Sequence, residues 1–186
     1  ERPAEPEIDS DASAEDPLAV AMRRAGCSAA FCFTVPGPKM IWQFGEIGYD
    51  YSITYNGDRT AKKPWVTDDY LKDADRKALY DTYSMLLKFR ADNPRFFDGD
   101  AQFRWGVGAS NNPGRYIFCT NGDGDTFALF GNFGTGEQTV KITLPSDATW
   151  YRYDDSSSEW KGSYHEPKMS EGQFYILVDD KSLCKK

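Results

Sequence analysis

The chain has 186 residues, enough for one good core or for a small domain joined to a fragment of another. A hydrophobic share of 40% with 15% aromatics marks a globular protein, while a formal net charge of −7 argues against a nucleic-acid groove, since phosphate binding needs clustered Lys and Arg. No apolar stretch reaches the roughly 18–20 residues of a membrane span, and nothing at the start reads as a signal peptide.

Residues 1–16, "ERPAEPEIDSDASAED", are acidic and lack apolar periodicity, so they read as a loop or disordered lead-in. Asp16-Pro17 is a helix start, with Asp as N-cap and Pro in the first turn. Leu18, Met22, Ala25 and Ala29 follow at helical spacing, and Phe31-Cys32-Phe33 carries the helix to a buried end before Pro36. Met40–Phe44 is an apolar run of strand length, read as a strand at 39–44 and closed by Gly45-Glu46. Residues 47–72 form a long irregular loop, of a length that in compact domains is often functional. Asp73 caps a second helix over 73–92, with Leu79, Tyr83, Leu86 and Leu87 as its inner face. Lys88 and Arg90 suit its carboxyl end, and Asn93-Pro94 stops it.

From about residue 95 the helical period is gone. Arg115–Thr120 and Thr126–Asn132 read as strands joined by the hairpin turn Asn121-Gly122-Asp123-Gly124. Gln138–Leu144, Trp150–Tyr153, Ser158–Lys161 and Gln173–Val178 complete a set of short strands. Together they predict an antiparallel β-sandwich over 95–186, with Val140, Ile142, Phe174, Ile176 and Val178 facing its core.

A lone strand at 39–44 between two helices cannot cover both of its apolar faces. Such strands belong to parallel α/β sheets with helices outside. The segment "VPGPKMIWQFGEIGYDYS", followed by "DADRKALYDTYSMLLKFRADNPRFFDG", resembles the end of the catalytic barrel in the α-amylase family of glycoside hydrolases, in its bacterial members. The resemblance covers residues about 17–183 in order. It implies an α+β chain: 17–94 as the last β/α unit of a (β/α)₈ TIM barrel, with 95–186 as the β-sandwich called domain C. The implied activity is retaining hydrolysis of α-1,4-glucans such as starch, glycogen or maltooligosaccharides. The implied partners are the glucan and the rest of the barrel in a parent chain, which is expected to be secreted, periplasmic or at the cell surface. The family's catalytic carboxylates lie on strands four and five, and a third aspartate follows an Asn-His pair on strand seven. None of these motifs is in this sequence, so the chain reads as the non-catalytic end of its parent.

Barrel chemistry sits on the loops after the strands. The candidate cleft rim is therefore Glu46, Tyr49, Asp50, Tyr51 and Trp65, with Tyr55 as a further aromatic able to stack on a sugar. Retaining hydrolysis needs two carboxyl groups about 5–5.5 Å apart. Asp50 is the only nearby partner for Glu46, and the resemblance places Glu46 at a strand end outside the family's catalytic trio, so Glu46 reads as a group that satisfies backbone or arginine at the barrel mouth.

Asn121, Asp123 and Asp125 have the first spacings of a calcium loop, but Thr126 and Asn132 stand where its glycine and glutamate belong. A hairpin turn fits better. The four cysteines (Cys27, Cys32, Cys119 and Cys184) lack C-x-x-C spacing, and His165 is the single histidine, so they read as buried thiols rather than zinc ligands. No cofactor is expected. Trp150, Tyr151, Tyr153, Trp160 and Tyr164 keep open a second reading, a non-catalytic carbohydrate-binding β-module, although alternation along strands places about half of them in a core.

Overall fold

The computed structural model describes residues 16–67, 69–108 and 112–185. The acidic lead-in expected over 1–16 lies outside them apart from Asp16. That residue caps α1 (Pro17–Thr34), its carboxylate accepting from the Leu18 N–H at 2.9 Å. After a long connection and the short helix α2 (Asp69–Lys72), Asp73 caps α3 (Ala74–Asp92) by accepting from the N–H groups of Asp75 and Arg76. Asn93 ends α3 and Pro94 opens a 3₁₀ turn, as their chemistry requires.

The two long helices run in the same direction. Met22 sits against Gly48 beside Arg76, and Gly26 lies against Leu79 and Thr82. Phe33 meets Tyr83 edge to face at 5.4 Å. At the carboxyl ends, Arg90 of α3 donates to the carbonyl of Phe33 in the last turn of α1 and to those of Val35 and Gly37 just beyond it. A parallel pair of helices obliges residues 35–73 to carry the chain back along their whole length.

The second half is built of β1 (Gln102–Val107), β2 (Gly114–Thr120), β3 (Thr126–Asn132), β4 (Gln138–Thr139), β5 (Ile142–Thr143), β6 (Thr149–Arg152), β7 (Asp155–Lys161), β8 (Tyr164–His165), β9 (Lys168–Met169) and β10 (Phe174–Val178). Six of these form one antiparallel sheet in the order β1-β2-β3-β10-β6-β7, while β4 pairs with β9 and β5 with β8. The β2–β3 hairpin turns where its sequence demands. Asn121 accepts from the N–H groups of Asp123 and Asp125, and Gly124 takes φ 96°.

Both faces of the large sheet are covered. On one face, α1 and α3 bury Ala30, Phe33, Leu86 and Phe89 against Ile117, Phe127, Leu129, Ile176 and Val178. On the other, Phe118, Ala128, Phe130 and Leu177 pack with Val140, Ile142, Leu144 and Met169, so the small sheets close a sandwich there. This divides the single core expected from the sequence. Val140 and Ile142 belong to the sandwich, whereas Ile176 and Val178 face the helices, with Phe174 half-buried beside them. The reason is that β10 lies mid-sheet and its side chains alternate between two apolar layers. Each buried large aliphatic contributes roughly 1.5–3 kcal/mol, so the two layers hold the sheet from both sides.

The strand expected at 39–44 is not formed. Residues 39–42 are irregular and 43–44 turn, with Met40 79% and Trp42 69% exposed. A strand is held by ladder bonds to neighbours, and no described strand lies alongside this one. Its backbone links are local: the Trp42 carbonyl accepts from Gly45 N–H at 2.8 Å, the Phe44 carbonyl accepts from Ile47 and Tyr49 N–H at 3.2 Å, and Phe44 reverses the chain at φ 60°. The α+β class holds, but every strand pairing described is antiparallel, and among the described residues no strand lies between the two long helices.

Candidate functional site

The connection that returns the chain from α1 to α3 is pinned at the amino end of α3 by one side chain. Arg76 is buried in the first turn of that helix. Its guanidinium donates to the carbonyls of Ile47 (3.1 Å) and Gly48, and pairs with Asp50 Oδ2 at 3.1 Å. Tyr70, just before α3, lays its ring 4.4 Å from the guanidinium and donates its hydroxyl to Asp50 Oδ1 at 2.6 Å. Gly48 suits this clamp: it takes φ 64°, which favours glycine, and a Cβ there would stand 2.4 Å from the Met22 sulfur, so that side chain would have to shift. Ile47 is buried beneath, and a 3₁₀ turn over Gly45–Ile47 aims the segment into place.

Aromatic rings stack outward from the clamp. Tyr49 lies 6.2 Å from Tyr70, 5.3 Å from Tyr51 and 5.7 Å from Phe44, ring centre to ring centre, and its hydroxyl donates to Pro64 C=O at 2.6 Å. Tyr51 meets Tyr55 edge-on at 5.3 Å, and Phe44 meets Trp65 the same way at 5.5 Å. The Trp65 indole is 75% exposed, so its face is open to a ligand.

Burial raises the Asp50 carboxyl, but the Tyr70 hydrogen bond and the Arg76 charge outweigh it and leave the group below the usual carboxylate range. Asp50 is thus an anion at neutral pH, an acceptor rather than a proton donor. Burial, reinforced by Asp50, pushes the Tyr70 phenol well above its ordinary value, and the Tyr49 phenol is raised for related reasons. The cluster offers stacking surface and fixed acceptors.

The structure therefore brings together Tyr49, Asp50, Tyr51 and Trp65, with Tyr55 beside them. Glu46 stands apart. It lines a shallow groove of about 450 Å³ with Ile41, Trp42, Tyr80, Tyr83 and Leu87. Glu46 was expected to satisfy backbone or arginine groups; Arg76 pairs with Asp50, while Glu46, past the left-handed turn at Phe44, lies on the Tyr83 side. Burial, with the Cys32 and Glu46 charges nearby, raises the Tyr83 phenol. Glu46 and Asp50 serve different clefts.

Tyr70 and Arg76 were not anticipated. A signal for Arg76 was present: a cation in the first turn of a helix opposes the helix dipole, which marks a side chain held there by other partners. Elsewhere, Trp150 and Tyr153 are core residues, Tyr151 packs on the helix-side layer, and Trp160 clusters with Phe130, Tyr175 and His165 on the sandwich side. Asp123 is held by Arg95 at 3.0 Å, and among the described residues no group of three or more His, Cys, Asp or Glu is placed to hold a metal ion. Cys27, Cys119 and Cys184 are buried free thiols, whereas Cys32 is exposed. No helix among the described residues is long and apolar enough to cross a membrane. No model of a known protein family matches the chain, and a search of curated proteins finds no match either.

Proposed function

We propose that this chain is the C-terminal portion of an α-amylase-type glycoside hydrolase acting on α-1,4-glucans. In this reading it lines one side of the substrate cleft and supports it, while the catalytic carboxylates come from the rest of the barrel in the parent chain. One observation carries the reading: Tyr49, Asp50, Tyr51 and Trp65 gather near the amino end of α3, where Arg76 holds Asp50 and the rings pack on one another and on Phe44. In a β/α barrel the loop after a strand lies at the amino end of the next helix, on the face where the chemistry occurs. Two parallel helices joined by a long return segment are also what consecutive barrel units require. An exposed indole with fixed acceptors nearby suits a pyranose ring, whose axial C–H face stacks while its hydroxyls find partners.

The test is titration of maltoheptaose into the chain, followed by tryptophan fluorescence, together with a reducing-sugar assay on soluble starch. Binding is expected to be weak and saturable, to be lost in Trp65→Ala, and to come without sugar release. Binding that survives Trp65→Ala but fails in Trp160→Ala or Tyr164→Ala would move the function to the β half and establish a carbohydrate-binding module. Starch turnover abolished by Glu46→Gln would overturn the assignment of Glu46 to a non-catalytic groove.

A further inference from the structure

The six-stranded sheet has two open sides, and they are built differently. β7 carries Asp155, Glu159 and Lys161, and its ladder to β6 slips between Tyr151 and Arg152. Charges and irregular pairing of this kind discourage another strand from adding. β1 lacks such protection. It has one charge, Arg104, and pairs with β2 without a slip from Gln102 to Val107, while Trp105 is 70% and Val107 59% exposed.

The ladder identifies which backbone groups are open. Gly108 N–H donates to Gly114 C=O at 2.9 Å, so the 108–114 pair is of the hydrogen-bonded kind. In an antiparallel ladder the two kinds of pair alternate. The inward bonds of β1 therefore belong to Gln102, Arg104 and Gly106, opposite Thr120, Phe118 and Tyr116. The N–H and C=O groups of Phe103, Trp105 and Val107 point away from β2. The side chains of these same residues lie on the face shared with α1, where an apolar groove of about 470 Å³ runs between Phe31 and Val35 of the helix region and the strand.

We propose that β1 pairs antiparallel with β1 of a second copy of this chain, about a twofold axis through Trp105, so that the two sheets become one. This register pairs all three outward residues, Phe103, Trp105 and Val107, within the strand. Trp105 stands opposite the partner's Trp105, Phe103 opposite the partner's Val107, and Arg104 opposite the partner's Gly106. Every outward N–H and C=O of Phe103, Trp105 and Val107 then meets its counterpart as a hydrogen-bonded pair. Apolar side chains meet apolar ones beside the groove, and the two arginines stay diagonal to each other. Moving the axis to Arg104 sets arginine against arginine, and moving it to Phe103 leaves Val107 without a partner. The surface is independent of the 44–70 cluster, so the proposal does not rest on glucan binding.

Sedimentation velocity of the whole chain over a range of concentrations tests this. A reversible monomer–dimer equilibrium is expected. Val107→Pro removes one outward N–H without touching the β1–β2 ladder, and Trp105→Glu sets like charges across the axis. Each should weaken association at least tenfold, while Trp42→Glu leaves it unchanged. A chain that stays monomeric throughout overturns the proposal, as does association that survives both β1 variants or is abolished by Trp42→Glu.

A cross-link keeps the test sharp if those variants fold poorly. Hydrogen-bonded antiparallel pairs hold their Cα atoms about 5.5 Å apart, within the span of a disulfide. In a Cys32→Ser background, Trp105→Cys should form a covalent dimer on oxidation and Arg104→Cys should not. Equal cross-linking of both would show random collision and would also overturn the proposal.

Discussion

Met40–Phe44 and Phe127–Phe130 are both short runs of large apolar side chains, and they end in opposite surroundings. The first is irregular, with Met40 and Trp42 among the most exposed apolar residues described. The second is a strand whose every residue is buried, paired to β2 on one side and β10 on the other. The side chains differ little. What differs is the company of the backbone. β3 has a ladder on each edge and an apolar layer on each face, while 39–44 has neither. An apolar run becomes a buried strand only where neighbours accept its N–H and C=O groups, because an unpaired buried peptide group offsets what its side chain gains.

The largest effect should come from cutting into the well-held member of this pair. Phe127 packs edge-on against Phe89 and Phe96 at 5.3 and 5.0 Å and is fully buried. Phe127→Ala should cost about 3–5 kcal/mol in chemical denaturation, whereas Trp42→Ala should stay within about 0.5 kcal/mol. A comparable loss at Trp42 would break the contrast.

Next comes the clamp that replaces a ladder for the return segment. Arg76→Met keeps the apolar stem but removes the donors to Ile47, Gly48 and Asp50. The expected cost is about 1.5–3 kcal/mol, the range of hydrogen bonds to a charged group. Amide exchange should accelerate around 47–50 while β2, β3 and β10 stay protected. Uniform acceleration would show that the two halves unfold as one unit.

The same clamp has a pH signature. The folded Asp50 carboxyl lies below its ordinary value, so its stabilisation is complete above the unfolded pKa of about 4 and is lost as the pH falls through the folded value. Asp50→Asn should therefore lower the melting temperature at neutral pH and converge with the parent chain in acid. A constant difference at all pH values would mean that packing, rather than charge, holds this loop. The smallest effect is expected at Tyr153, buried in the helix-side core with no hydrogen-bond partner for its hydroxyl. Tyr153→Phe should leave the melting temperature unchanged or raise it slightly, because no bond is lost and a buried polar group is removed.

The sequence by itself determined the elements whose signals are local. Asp16-Pro17 and Asp73 start helices where their carboxylates reach free N–H groups, and Asn93-Pro94 stops one. The turn at Asn121–Gly124 and the alternation of Val140, Ile142 and Leu144 were equally legible, since each depends on a few neighbouring residues. The edge strand β1 and the two-residue strands β8 and β9 were not, because Gln102–Val107 is half exposed and pairs as short as Lys168–Met169 carry no period.

The candidate site divides along the same line. Tyr49, Tyr51 and Trp65 were legible as aromatics, and Asp50 as a carboxylate, in a long loop after a glycine-glutamate step. That Arg76 and Tyr70 gather them, and that Glu46 turns away to Tyr83, depends on a left-handed residue at Phe44 and on Met22 lying over Gly48. Only the tertiary structure decided which apolar runs are buried, which layer each face of β10 joins, and where the Asp50 charge is held. Those outcomes are set by partners distant in sequence: a ladder, a second apolar face or an opposite charge lies outside any local window of residues.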